Sequence, residues 1–276
     1  MRFVKVINSN TNQKLKLVRA LLASKKARDE NGLYVIESPK VIYSLIPEQV
    51  EYILVNPEGK EKLGGLANIP VYEVEDSLFK TLSDTETPRG IIAVVKKPNP
   101  PDLAILKETL HETIVILDGI QDPGNAGTII RTAAAFNCAA VLYTERTVDL
   151  YSPKVVRSSA GAILEVPLLP IRSRKRGPQT SPVPFLGIAE LKAMGFSIVI
   201  TVSNQHATDL KIHDAGKWHP EGKQAVVFSN EGSGVSAELA AAADQAVTIY
   251  HSESAESLNV AVSAGIILEK IYAKVK

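Results

Sequence analysis

Three short runs of apolar and β-branched residues limit most strongly what this chain can fold into: residues 114–117 (IVIL), 225–228 (AVVF) and 246–249 (AVTI). None of them alternates polar with apolar residues, as a strand with one wet face would. Runs of this kind suit strands covered on both faces, the usual state of a parallel sheet between layers of helices. Polar loops occur at or shortly after their carboxyl ends, and open α/β sheets bind their ligands in crevices outside those ends.

The first loop, residues 118–127 (DGIQDPGNAG), runs into an apolar helix over residues 128–136. Asn125 suits a helix N-cap there. Arg131 lies about two turns into that helix, where a charge needs a partner or a ligand. Its guanidinium is able to grip a phosphate or carboxylate through two hydrogen bonds. The second loop, residues 229–236 (SNEGSGVS), places Glu231 among glycines that permit close approach of a ligand to the backbone. Residues 232–237 (GSGVSA) also fit a dinucleotide-binding pattern. They come late in the chain, however, whereas that pattern belongs after the first strand of its fold, which argues against a nicotinamide oxidoreductase. The third cluster, residues 256–259 (ESLN), opens a long helix over residues 260–275. Ser257 suits its cap and Asn259 its first turn. This helix is apolar nearly all round and is expected to be buried, against the sheet or a second subunit.

Ahead of these clusters, residues 13–27 place Leu15, Val18, Leu21 and Leu22 at helical spacing, with Lys and Arg opposite. Strands over residues 33–36, 52–55, 71–74 and 91–95, with a helix over 41–46 ended by Pro47, complete a small α/β sandwich. The charged, proline-rich residues 96–101 (KKPNPP) mark a linker. The expected boundaries are a first domain over 1–97, a linker over 98–112 and a second domain over 113–276. Residues 172–184 (RSRKRGPQTSPVP) read as a surface loop of the second domain, because strand-like runs resume after them.

The net charge of +1 conceals an asymmetry, since the first 28 residues hold eight basic residues and no acidic one. Such an arm neutralises nucleic-acid phosphates, or it is simply a solvated helix face. Lys14, Lys16, Arg19, Lys25, Lys26 and Arg28, with Arg157, Arg172 and Arg174, are the candidate phosphate contacts. The single cysteine, Cys138, excludes an internal disulfide framework. The five histidines, at 111, 206, 213, 219 and 251, show no zinc-type spacing, so no metal is expected. No run reaches membrane-spanning length and the N-terminus lacks a signal-like apolar core, so a soluble cytoplasmic protein is expected.

Together these segments resemble the SpoU/TrmH branch of the SPOUT superfamily. Residues 125–133 (NAGTIIRTA), 230–236 (NEGSGVS) and 256–261 (ESLNVA) follow the order of that family's three motifs. Residues 82–91 (LSDTETPRGI) resemble the closing segment of the L30e-like RNA-binding domain found in many members. The resemblance implies an α/β parallel-sheet domain tied in a deep trefoil knot, a homodimer with its pocket at the subunit interface, and S-adenosylmethionine as cofactor. It implies cofactor contacts at Thr201, Val202, Ser203, Asn230, Glu231, Gly232, Ile249, His251 and Leu258. Arg131 would engage the target ribose and its phosphate, with Asn125, Glu231, Ser257 and Asn259 positioning it, the nucleotide and the methyl donor. The implied reaction is methyl transfer to a ribose 2′-hydroxyl of RNA. An arginine is a poor base, so a water or a carboxylate is the alternative acceptor for the hydroxyl proton.

Three positions depart from the family pattern. Many relatives have glycine where Ser229 stands, a Pro-Met pair where Tyr250-His251 stands, and Glu-Gly where Glu37-Ser38 stands. The separate RNA-binding domain and modest charge favour ribosomal over transfer RNA. The rival reading, a non-catalytic RNA-binding protein that kept the fold, needs only basic residues and leaves the polar set around Arg131 unexplained.

Overall fold

The computed structural model describes residues 5–63, 68–82, 89–99, 106, 113–171, 187–203, 210–230, 232–252 and 254–275. The chain divides into two compact units, Met1–Asn99 with Tyr151–Ala160 and Pro100–Leu150 with Gly161–Lys276. Most of the expected linker, all of residues 172–184 and most of the expected closing segment 82–91 lie outside the described residues.

In the first unit, strands β1 (Lys5–Ile7), β2 (Leu33–Ile36), β3 (Val50–Val55), β4 (Val71–Val74) and β5 (Ile91–Lys96) form one sheet in the order β1-β4-β3-β5-β2. β1, β4 and β3 run parallel, and β5 is antiparallel to both β3 and β2. Helices α1 (Gln13–Ala23), α2 (Lys25–Asn31), α3 (Pro39–Ile42), α4 (Pro57–Lys62) and α5 (Asp76–Phe79) connect these strands. Leu15, Val18 and Leu21 of α1 are buried in one core with Val35, Leu54, Phe79 and Val94. Each such burial contributes about 1.5–3 kcal/mol.

The helix expected over residues 13–27 is in fact two. Ser24 breaks it by adopting an extended conformation (φ −132°), ending α1 with its own amide bonded to Ala20 O while its hydroxyl accepts Ala27 N–H at 3.3 Å. A serine that hydrogen-bonds the next turn is a start signal as well as a stop. The helix expected over 41–46 is also shorter, ending at Ile42, with a separate 3₁₀ turn at Pro47–Gln49. Arg28 departs from its expected role as a phosphate contact. It is only 4% exposed, and its guanidinium donates to the carbonyls of Leu21 and Leu22, which close the end of α1. Arg28→Ala is therefore expected to lower stability by about 1–3 kcal/mol, read as a drop in Tm. The salt dependence of RNA affinity should stay as in the wild type; a variant with unchanged Tm would overturn this account.

The second unit holds β6 (Thr113–Asp118), β7 (Ala140–Tyr143), β8 (Leu168–Pro170), β9 (Ser197–Thr201), β10 (Ile212–Asp214), β11 (Gln224–Ser229) and β12 (Gln245–Thr248). They form one sheet in the order β10-β12-β9-β11-β6-β7-β8, with every neighbouring pair parallel. The three apolar runs become β6, β11 and β12, all inside the sheet, with β9 between β12 and β11. The short strands β7, β8 and β10 were not expected. All of β6 is buried, and Ile114, Ile116, Ile198, Ile200, Ala225 and Val227 share one core.

Helices α6 (Pro123–Ala135), α7 (Pro153–Ser158), α8 (Ile188–Ala193), α9 (Ala237–Ala242) and α10 (Val260–Val275) complete the chain. α7 belongs to the first unit, where Tyr151 just ahead of it packs on Tyr34 with ring centroids 5.0 Å apart. α6 buries Ala126, Ile129, Ile130 and Ala133, an i, i+3, i+4, i+7 stripe. It packs against α10, whose Tyr272 meets Phe136 at 5.6 Å between centroids. α10 buries Val260, Ala261, Ala264, Ile267, Leu268 and Ile271, but it leaves Val262 and Ile266 exposed, so its burial is one-sided in a single chain. No helix among the described residues is long and apolar enough to cross a membrane.

Candidate active site

Because β12, β9 and β11 are parallel neighbours, their carboxyl ends open at the same edge of the sheet. The segments that leave them line one cleft. Thr201, Val202 and Ser203 come from β9 and its exit, and Ser229, Asn230, Gly234 and Val235 from β11 and its loop. Val247, Ile249, His251, Ser257 and Leu258 come from β12 and the stretch beyond it, with Val260, Ser263 and Ile267 of α10 forming a further wall. The cleft holds about 810 Å³ of empty space including its open mouth.

The loop after β11 is closed by its own first residue. Asn230 Oδ1 accepts the amides of Gly232 (2.8 Å) and Ser233 (3.2 Å), and its carbonyl accepts that of Gly234 (2.9 Å). Gly234 sits at φ 63°, a conformation that favours glycine. Those three amides are thus used within the loop. The amides of Ser203, Ile249 and Leu258, by contrast, have no partner among the described residues. The Thr201 hydroxyl is spent on Val227 O at 2.8 Å. His251 Nδ1–H donates to Ile249 O at 2.8 Å, which leaves Nε2 as the ring's acceptor. A cleft lined by apolar residues and by residues whose main-chain amides are unbonded fits an adenosine-bearing cofactor recognised through backbone groups.

The two asparagines singled out in the sequence meet. Asn259 Nδ2 donates to Asn125 Oδ1 at 3.0 Å. Their local roles differ from those expected. Asp122, not Asn125, caps α6: its Oδ1 accepts Asn125 N–H at 2.8 Å and Pro123 takes the first helical position. Asn259, not Ser257, caps α10, accepting the amides of Ala261 (2.9 Å) and Val262 (3.3 Å) on Oδ1. Ser257 lines the cleft, Gly232 is exposed outside it, and Glu231 lies outside the described residues.

Arg131 is exposed on α6 and has no hydrogen bond or ion pair among the described residues. Of the expected partner or ligand, no protein partner occurs among the described residues, and the exposed guanidinium is open to solvent. It borders a second, open groove with Phe136 of α6 and Gly265, Ile266 and Glu269 of α10. A single chain therefore does not bring Arg131 into the lining of the cleft.

Sequence reasoning gave no role to Asp118, a fully buried carboxylate at the end of β6. A charged residue closing a wholly apolar strand was the available signal. Cys138 is also buried, which pushes its thiol up to about 12 and keeps it protonated at neutral pH, unsuited to act as a nucleophile. No cluster of three His, Cys, Asp or Glu able to hold a metal ion occurs among the described residues.

The remaining candidate phosphate contacts divide by what already holds them. Lys14 Nζ sits 4.4 Å and 4.5 Å from the Tyr52 and Tyr72 ring centroids. Arg19 donates to Asn10 and Thr81. Lys26 pairs with Glu30 at 3.7 Å, and Arg157 pairs with Glu37 at 3.3 Å. Lys16 and Lys25 are exposed, and their ammonium groups have no partner among the described residues. Arg172 and Arg174 lie outside the described residues.

Residues 112–269 match the SpoU rRNA Methylase family, and residues 12–93 match the MRM3-like substrate binding domain. The 23S rRNA (guanosine(2553)-2′-O)-methyltransferase RlmP of Bacillus subtilis is 31% identical over 267 residues, 96% of this chain and 98% of its own. Mouse mitochondrial rRNA methyltransferase 3 is 30% identical over 171 residues, 57% of this chain and 40% of its own length. The AdoMet-bound rRNA methyltransferase from Sinorhizobium meliloti superposes with a TM-score of 0.76, at 25% identity and over 98% of both chains.

Proposed function

The chain belongs to the SpoU rRNA methylase family, and on that premise we propose that it methylates one ribose 2′-hydroxyl of large-subunit ribosomal RNA. Its class of activity is S-adenosylmethionine-dependent RNA ribose methylation. The observation that carries the specific reading is the cleft, where the chain following three parallel strands meets and apolar residues line it together with Ser203, Ile249 and Leu258, whose amides have no partner among the described residues.

S-adenosylmethionine, when bound, supplies a methyl group on a sulfonium sulfur that a hydroxyl attacks directly. The residues that would hold it are Thr201 to Ser203, Asn230, Ile249, His251 and Leu258. Ile249 and Leu258 offer main-chain amides, and Val235, Val247 and Ile267 exclude water from the floor. The protein's remaining task is to align a weakly nucleophilic hydroxyl and to accept its proton. Alignment alone is worth several kcal/mol, roughly up to 7–11 in ideal cases. Arg131 serves alignment by fixing the phosphate and ribose with a two-pronged grip. The tie between Asn125 and Asn259 holds the starts of α6 and α10 together beside it.

The exposed Arg131 groove and the uncovered Val262 and Ile266 support a homodimer in which a second copy brings its arginine to this cleft. A trefoil arrangement of the C-terminal segment is part of the same reading. It is supported by the way residues 249–258 share the cleft with the exits of β9 and β11 before α10 returns to α6. Action on ribosomal RNA implies a compartment that contains ribosomes, here the cytoplasm.

Mapping ribose methylation in ribosomal RNA from cells with and without the gene tests the proposal. One position should lose its methyl group; loss confined to a transfer RNA, or no loss at all, would sink the ribosomal reading. Replacing Lys16, Lys25 and Lys26 by Gln together should flatten the dependence of RNA affinity on salt. The slope of log K against log salt is expected to fall by roughly 0.7–0.9 for each phosphate contact removed. An unchanged slope would show that these lysines are only a solvated face.

A further inference from the structure

Asp118 is wholly buried, charged and outside the set just described. It ends β6 in register with Ser229 of β11. Its carbonyl accepts the amide of Asn230 at 3.3 Å, and its Oδ2 accepts the amide of Ser236 at 2.6 Å. One residue thereby fastens both ends of the loop over residues 230–236, which gives Asn230, Gly234 and Val235 to the cleft. The other carboxylate oxygen, Oδ1, accepts from the Thr144 hydroxyl at 3.2 Å and from Arg146 Nη2 at 3.0 Å. Both of those residues come from the loop after β7. Arg146 is half exposed, and its carbonyl accepts the side-chain amide of Gln121, which precedes α6.

The arrangement has a physical cost that asks for a purpose. A buried carboxylate is tolerated only when its lone pairs and charge are met, and here donors from two loops meet them. Among the described residues of the 230–236 loop the side-chain bonds are Asn230's own, and its far end is held to β6 by the Ser236 amide. A bond from an amide to an ionised carboxylate is about twice as strong as one between neutral groups.

We propose that Asp118 is a positioning residue that clamps the 230–236 loop in the shape that accepts the cofactor, with Arg146 steadying the carboxylate from outside. This rests on the reading of the cleft as the S-adenosylmethionine site.

Calorimetric titration of S-adenosylmethionine and S-adenosylhomocysteine into the full-length protein, alongside Tm, tests the clamp. The variants are Asp118→Asn, Ser236→Pro, Arg146→Ala and the control Thr147→Val. Ser236 has φ −62°, which proline adopts freely, and Ser236→Pro both deletes the donated N–H and sets the ring Cδ against Oδ2, so it opens the clamp without touching Asp118 itself. Thr147→Val breaks bonds to Leu117 O and from Gly119 N at the same strand end, and a 3.5 Å contact with the Thr144 hydroxyl, but it leaves the bonds of Asp118 to Ser236 and Arg146 in place.

Asp118→Asn and Ser236→Pro should weaken both ligands about tenfold, and Arg146→Ala about threefold. The KM for the cofactor should rise in step while kcat at saturation changes little. Thr147→Val should lower Tm without moving either affinity. If Asp118→Asn fails to fold, Ser236→Pro and Arg146→Ala decide the matter. Clamp variants that bind within about twofold of wild type would overturn the proposal, as would a loss of affinity in Thr147→Val that follows Tm as theirs does. Wild-type protein that binds neither ligand would overturn the cofactor reading and the clamp with it; wild-type binding with unaffected variants overturns the clamp alone.

Discussion

Arg131→Ala is expected to lower methylation turnover by about a hundredfold to a thousandfold, the loss seen when a charge-stabilising donor is removed from an active site. Stability should hardly change, within about 0.5 kcal/mol, because the side chain is exposed and bonds to nothing among the described residues. A large kinetic effect without a stability effect is the signature of a group that meets its partner only when substrate arrives. Arg131→Lys separates charge from shape: lysine keeps the cation and loses the planar fork, so turnover should still fall by more than tenfold. A lysine variant with near-normal turnover would remove any special role for the guanidinium. Mixed dimers sharpen the test. Co-expressing Arg131→Ala with Ser263→Phe, which fills the cleft wall, should restore activity to one site in two if the arginine crosses between copies. No recovery in a verified mixed dimer would place both functions in the same chain.

The second large effect is expected at Asn259, which does two jobs with one side chain. Its oxygen caps α10 and its nitrogen holds Asn125. Asn259→Ala loses both. The cap is worth about 1 kcal/mol. Loss of the tie frees the two helix starts relative to each other, and a misplacement near 1 Å costs about a hundredfold in rate. Asn259→Ser divides the two, since serine caps as well as asparagine but is too short to reach Asn125 Oδ1. Turnover should fall as far in the serine variant as in the alanine variant, while Tm falls only in the latter. Serine turnover near wild type would show that the tie is incidental and the cap is what matters.

Much of the second unit was legible because strands buried on both faces leave an unmistakable composition. Residues 114–117, 225–228 and 246–249 need no partner strand to be recognised, and they occupy the middle of the sheet. β7, β8 and β10 are three or four residues long at or near the flanks of the sheet, too short to show any period. Helix ends were misread where two capping residues compete. Asp122-Pro123 carries the stronger start signal, since proline is at home in the first helical position, yet Asn125 drew attention as a motif residue. Arg28 could not be read at all: its inward turn depends on where the end of α1 lies in space. The exposure of Arg131 was hidden for the complementary reason, since an apolar pattern around a charge does not say which face of the helix the charge takes. Asn125 and Asn259 were singled out as polar residues near strand ends, and Thr201 to Ser203, Asn230, Ile249, His251 and Leu258 through the resemblance alone, while the partnership of Asp118 with Ser236 joins segments 118 residues apart and had no local trace.

The register of β6 with β11 has a consequence for how the enzyme comes into being. Asp118 lies opposite Ser229, and Asn125 finds its partner 134 residues further along the chain. Loops that long must close before the contacts repay the lost entropy, which makes such sheets slow to assemble. On the ribosome, synthesis advances at about 5–20 residues per second, so β6 waits many seconds for the strand that covers its flank. Until Asn259 has emerged there is no cleft with all its walls and no paired asparagines. An enzyme of this class is made by the same kind of particle as the one whose RNA its relatives are named for, and a nascent chain lacks the paired asparagines until Asn259 is free to fold.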